Sequence, residues 1–200
     1  GRHIVTTAVE HASVAASVTE LERQGCEITR LIPGPEGLTA EQVAAACRPD
    51  TVLVSIMMVN NETGARFPIE RIVPSVRHAA PGALIHCDAV QAAGKLPLNA
   101  ARLGVDMMTV SSHKIHGPKG AGALFLRKGA RILPRSYGGS QENGLRPGTE
   151  AVPLLAAFGA AAEALPSFAE QEALFAALRR RLLDGLAGRE GIVVNSPADG

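Results

Sequence analysis

Three observations predict an α/β fold with a mostly parallel sheet flanked by helices. Short β-branched runs alternate with amphipathic stretches from Ile4 to Leu126. Few hairpin signals separate them, so successive strands need crossover connections. After Ala151 the sequence turns Ala/Leu-rich and helical, which adds a helical region behind the alternating one.

The elements follow in order. Ile4-Val5-Thr6-Thr7 reads as a strand. Ala12 to Arg23 reads as a helix closed by Gly25, the residue type that tolerates the left-handed conformation past a helix end. Glu27 to Ile32 forms a second strand, and Thr39 caps a helix running through Ala46. Thr51 to Ile56 is an unbroken apolar run, the pattern of a strand buried on both faces. Pro68 suits an early position of a helix to about Ala79, because its missing N–H would be unpaired there anyway. Ala83–Cys87, Val105–Val110 and Gly122–Leu126 are further strands. Helices are expected at about 151–164 and 167–187, with a boundary near Pro166 dividing a large domain (1–165) from the start of a smaller α/β domain (166–200). Ile192-Val193-Val194 reads as a last strand, and both ends of the chain look cut.

Composition narrows the classes of function. Two hundred residues suffice for a sizeable core, and 46% hydrophobic with 20% charged residues is ordinary for a globular protein. With aromatics at 3%, that core must be built from Ala, Leu, Val and Ile. A net charge of +1, with no basic run, argues against a nucleic-acid partner. No apolar run approaches the ~20 residues of a membrane span, so no membrane partner is expected. Cys26, Cys47 and Cys87 are too scattered for a disulfide framework or a zinc site, which favours a reducing cytoplasm and no metal.

Three strands run into polar clusters: Asn60-Asn61-Glu62-Thr63-Gly64, Asp88-Ala89-Val90-Gln91, and Ser111-Ser112-His113-Lys114. Asn61 to Asp88 is 27 residues and Asp88 to Lys114 is 26, about one strand–helix–strand unit each. Residues at the C-terminal ends of parallel strands face the crevice where open α/β sheets bind ligands. An amide, a carboxylate and a lysine can thus share a pocket. That set suits pyridoxal 5′-phosphate (PLP): a lysine amine for the aldehyde, and a carboxylate to keep the pyridine nitrogen protonated as an electron sink. Ser111, Ser112 and His113 can donate to a dianionic phosphate. Taken singly, each residue also has a plain structural reading. Lys114 could be a surface lysine, Asp88 a helix cap, His11 a helix-start residue and Asn61 a turn former with Gly64. His86 and His116 are expected to be structural or surface residues, and Cys87 a small buried hydrophobe. Gly117-Pro118-Lys119-Gly120 lacks the ending of a nucleotide-binding P-loop.

Five strings in order, VEHASV, MMVNNETG, IHCDAVQAAGK, SSHKIHGPKGAGALFLRKG and GGSQENGLRPGTE, resemble the NifS/IscS-type cysteine desulfurases of the class V aminotransferase superfamily. The resemblance is weakest after residue 165. It implies a type I PLP fold and a homodimer. It also implies conversion of L-cysteine to L-alanine, with sulfur passed through an enzyme persulfide to an acceptor such as an iron–sulfur scaffold. By resemblance Lys114 is the Schiff-base lysine, Asp88 the pyridinium partner and His11 the ring-stacking, proton-moving histidine. Asn61 and Gln91 lie near ring substituents, Ser111 and His113 on the phosphate, and Thr149 on the phosphate of the neighbouring subunit. The family's upstream phosphate loop, persulfide cysteine and substrate-carboxylate arginine have no counterpart in these 200 residues, so the stretch alone is expected to lack activity. Asn143 stands where many relatives carry arginine. Selenocysteine lyase, another class V aminotransferase, and an inactive scaffold domain remain the alternatives.

Overall fold

The computed structural model describes residues 1–34 and 36–197. Its centre is one six-stranded sheet in the order β2-β1-β3-β4-β5-β6. The strands are β1 (His3–Thr7), β2 (Glu27–Leu31), β3 (Thr51–Met57), β4 (Leu84–Asp88), β5 (Met107–Ser111) and β6 (Gly122–Leu126). Every pairing is parallel except β5 with β6, so the expected mostly parallel α/β sheet is what the chain forms. Helices α1 (Ala12–Arg23), α2 (Ala40–Ala46), α3 (Ile69–Ala79) and the single turn α4 (Ala100–Leu103) are its connections. Helices α5 (Val152–Glu163) and α6 (Phe168–Leu186) follow the sheet.

Local signals act where the sequence places them. Gly25 has φ +94 just past α1, where a side chain would be strained. Thr39 and Gln42 form a reciprocal capping box: the Thr39 hydroxyl accepts from the Gln42 amide at 3.2 Å, and Gln42 Oε1 accepts from the Thr39 amide at 3.0 Å. In α3 the buried residues Ile69, Ile72, Val73 and Val76 recur at helical spacing, while Pro74 is on the solvent side of the same helix. Each of these buried aliphatic side chains stabilises the fold by about 1.5–3 kcal/mol. They join Val5, Val54, Ile56, Ile85, Cys87 and Met108 from the sheet, Val105 from the segment before β5 and Val43 from α2 in one core.

Two expectations need correction. The fifth strand was expected over Val105–Val110, but its ladder begins at Met107. The Ile85 amide donates to the Asp106 side chain, Oδ2, at 2.7 Å. The Gly104 carbonyl meanwhile accepts from Arg77 at 3.1 Å. The run Ile192-Val193-Val194 forms no strand. Its three side chains are exposed and no neighbouring strand pairs with it, so β propensity has no ladder to join.

Asp106 is the fold's main polar anchor. It is fully buried, and besides Ile85 it accepts from Arg77 at 2.6 Å and from Arg127 Nε at 2.7 Å. Arg127 also donates its backbone amide to the Asp106 carbonyl at 2.8 Å. One carboxylate therefore ties α3, β4 and the end of β6 together.

Candidate active site

Strands β1, β3, β4 and β5 run in one direction, so the residues that follow them gather at one edge of the sheet. There a cleft of about 380 Å³ is lined by His11, Ser13, Asn61, Asp88, Gln91, Ser111, His113 and Lys114, with Met57, Val59 and Val90 as apolar wall. Seven of the residues singled out from the sequence thus line one cavity: His11, Asn61, Asp88, Gln91, Ser111, His113 and Lys114. Thr149 does not line this cleft and is exposed in the 140s segment.

Each side chain is placed by its local chain. His11 is the N-cap of α1, and its Nδ1 accepts from the Ser13 amide at 3.2 Å. An accepting Nδ1 puts the neutral ring's proton on Nε2. Asp88 ends β4 and is 7% exposed; its Oδ1 accepts from the Val90 amide at 2.9 Å. This Asx turn stands where the plain reading placed a helix cap: turns rather than a helix follow Asp88, and the next helix is capped by Asn99. Gln91 follows in the same turn, where its carbonyl accepts from Lys95 Nζ at 3.1 Å.

Lys114 belongs to a 3-10 turn, Ser112–Ile115, directly after β5. Ser111 Oγ and His113 Nδ1 bracket that turn at 2.8 Å. The turn ends on His116 at φ 67 and doubles back through Gly117, where a Cβ would stand 2.1 Å from Ser112 Oγ. A side chain there would have to displace the Ser112 hydroxyl. Helix α5 packs behind it, with Ala161 Cβ 3.3 Å from the same position.

Sequence reasoning missed three residues of this region. Asn60, not Asn61, shapes the turn after β3: its Oδ1 accepts from the Glu62 and Thr63 amides at 3.0 and 2.9 Å, and its Nδ2 donates to the Val9 carbonyl at 3.0 Å. That leaves Asn61 exposed and facing the cleft. The Asn60-x-x-Thr63-Gly64 pattern carried the signal for this turn. Lys95 is half-buried, and burial together with the neighbouring Lys114 charge lowers its pKa. Glu10 is 8% exposed, and burial raises its pKa to about 7, with the charge of Asp88 adding to the rise. A glutamate one residue before a helix cap reads as a surface residue, so the sequence offered no clear sign of its burial.

The remaining histidine and cysteine assignments hold structurally. His86 bridges hydroxyls on both neighbouring strands, Ser55 Oγ at 2.8 Å and Thr109 Oγ1 at 3.2 Å, and burial lowers its pKa. Cys87 is fully buried, and burial pushes its thiol far above the usual range, so it is no nucleophile.

Comparison with known proteins agrees with this architecture. The aminotransferase class-V family model matches residues 1–199. The chain belongs to the aminotransferase class-V family. Within it, this class-V chain is 47% identical over 186 residues to cysteine desulfurase 2 of Trichormus variabilis, covering 92% of the chain and 46% of that relative. It is also 47% identical to cysteine desulfurase IscS of an Anaeromyxobacter species, covering 98% of the chain and 49% of the relative. A solved structure titled NifS-like protein superposes with a TM-score of 0.93 at 36% identity, over 99% of this chain and 55% of that one. DndA from Streptomyces lividans superposes with a TM-score of 0.86 at 39% identity, over 97% and 58%. The class-V chain spans about half the length of the curated relatives it matches.

Proposed function

We propose that this chain is the cofactor-holding part of a PLP-dependent cysteine desulfurase. The observation that carries the reading is one cleft that joins Lys114, Asp88, Gln91, His11, Ser111 and His113. Its volume of about 380 Å³ falls among pockets that take small ligands, roughly 300–1,000 Å³. The donor set fits PLP group by group. Lys114 supplies the amine for the aldehyde, Asp88 an acceptor for the protonated ring nitrogen, and Gln91 and Asn61 amides for ring substituents. Ser111 and His113 supply donors for the phosphate, held together by their own 2.8 Å contact. When bound, PLP supplies an electron sink for cleavage of a substrate bond.

The chain's own groups do the rest. The Asx turn to Val90 fixes the Asp88 carboxyl before any ligand arrives. His11, anchored at Nδ1 by the Ser13 amide, presents its Nε2–H to the cleft as a hydrogen-bond donor. Lys114 would hold the cofactor's aldehyde, and its amine at the same wall is the group placed to carry protons. Overall, L-cysteine and an enzyme thiol give L-alanine and an enzyme persulfide: the C–S bond breaks, an S–S bond forms, and the methylene carbon gains a proton. Cys87 is sealed in the core, and neither Cys26 nor Cys47 lines the cleft, so no cysteine of this stretch is assigned the sulfur-accepting step.

Under this reading Thr149 serves the phosphate of a second subunit in a homodimer, which agrees with its exposure outside its own chain's cleft. A sulfur acceptor such as an iron–sulfur scaffold, a cytoplasmic setting and a domain boundary near Pro166 belong to the same reading. Among the described residues no single helix is long and apolar enough to cross a membrane. The test is incubation with excess PLP, borohydride reduction and peptide mapping, with Lys114→Ala as control. A phosphopyridoxyl group on the Lys114 peptide alone is the expected result. A folded chain labelled only at other lysines, or not at all, would overturn the reading and favour an inactive scaffold.

A further inference from the structure

Glu10 lies behind the cleft and has no part in the chemistry just described. Its Oε1 accepts from the Thr7 hydroxyl at 2.8 Å and from the Met57 amide at 2.9 Å. Its Oε2 is buried without a hydrogen-bond partner. A buried carboxylate with one oxygen unsatisfied is costly, whereas a carboxylic acid carrying its proton on that oxygen is far less so. Location gives the point a consequence. Met57 pairs with Asp88 across β3 and β4, so Glu10 is bonded to the backbone directly beside the cleft's aspartate. Glu10 also precedes His11, and its two hydrogen bonds tie the turn bearing that histidine to the end of β3.

The titratable groups acting on Glu10 from the packed elements are Asp88 and Cys87, both on β4. Strand β1 contributes the Thr7 hydroxyl and β3 the Met57 amide, neither of which titrates in this range. A carboxylate charge on Glu10, bonded to Met57 at the end of β3, would oppose one on Asp88 at the end of β4. We propose that Glu10 and Asp88 form a charge-coupled carboxyl pair in which Glu10 keeps its proton on the buried Oε2, so that Asp88 presents the single carboxylate charge of the cleft. Glu10 is then a positioning residue. It anchors His11 over the cleft while neutral, and on ionising it adds a second negative charge beneath Asp88. The part concerning the cofactor rests on the PLP reading above; the carboxyl pair itself does not.

The burial-raised pKa of about 7 puts this switch inside the neutral range. The experiment is carboxyl-carbon NMR on the glutamate- and aspartate-labelled 200-residue chain from pH 5 to 9. The expected result is one glutamate signal titrating near neutrality, missing in Glu10→Gln. In Asp88→Asn that signal moves to lower pH. Asp88→Ser, which keeps an acceptor for the Val90 amide, covers the case in which Asp88→Asn does not fold. Glutamates that all titrate in the ordinary carboxylic range would overturn the proposal, and so would a near-neutral signal indifferent to both Asp88 variants. Borohydride labelling of Lys114 across the same pH range reads the positioning role. Wild type should show a step whose midpoint matches the Glu10 titration, and Glu10→Gln should be labelled without that step. A matching step retained in Glu10→Gln overturns the role. Absence of labelling in both chains removes the PLP reading, while the NMR titration still decides the carboxyl pair.

Discussion

Arg77 on α3 donates to Asp106 at 2.6 Å across the mouth of β5, and the carboxylate it meets is fully buried. Asp106→Asn would weaken that contact and the one to Arg127, leaving cationic side chains without a charged partner. Only the carboxylate is fully buried and water reaches both arginines, so the loss should be smaller than for a fully buried pair, about 1–3 kcal/mol. Urea unfolding should show a loss in that range, and a change under about 1 kcal/mol would place the network among inconsequential surface pairs.

The same residue sets an acid limit. Burial opposes ionisation of Asp106, but its hydrogen bonds from Arg77, Ile85 and Arg127 win and lower its pKa below 3.8. A depressed carboxyl pKa contributes stability that is present above the unfolded value and is lost as pH falls through the folded one. Melting temperatures measured from pH 5 to pH 2 should fall more steeply for wild type than for Asp106→Asn.

Glu10 has the opposite sign. Its pKa rises from 4.5 to about 7 on folding, so the folded chain holds a proton that the unfolded chain has released. Stability is then highest below pH 4.5 on this account and declines as pH rises through about 7. The full difference is on the order of 3 kcal/mol. Glu10→Gln should flatten the decline, and calorimetry at pH 8 should find that variant the more stable chain.

Gly117→Ala should disturb the lysine turn, because the new methyl would lie 2.1 Å from Ser112 Oγ. Overpacking of this kind costs about 1–3 kcal/mol. Ser112 Oγ has no hydrogen-bond partner, so Ser112→Ala sacrifices little and clears the space. The double variant should recover much of the lost stability in denaturant melts. A double variant no better than the single would show that the clash lies with the backbone instead.

Local and periodic features were the legible part of the sequence. Thr39 with Gln42, Gly25 past its helix, and the unbroken run of β3 each act through neighbours in the chain, so reading along it finds them. The cleft was legible for a related reason: parallel strands deliver their trailing residues to one edge, and Asn61, Asp88 and Lys114 sit one crossover apart. What escaped depended on distant partners. Asp106 draws its meaning from Arg77 and Arg127, 29 and 21 residues away, and Glu10 from Met57, 47 residues on. Ile192–Val194 misled because β-branched residues declare a preference without declaring a partner.

The cleft and the loops that cross over to it occupy opposite ends of the sheet. The turn from α3 into β4 passes through Pro81 and Gly82, both exposed, and a side chain added at Gly82 would meet no atom. Residues spliced into that far turn would lengthen the path from Asn61 to Asp88 without altering where either strand ends. The spacing that first drew attention to these residues is therefore a by-product of economical wiring. Length can drift there, or a tag can be grafted, while the arrangement around Lys114 stays put.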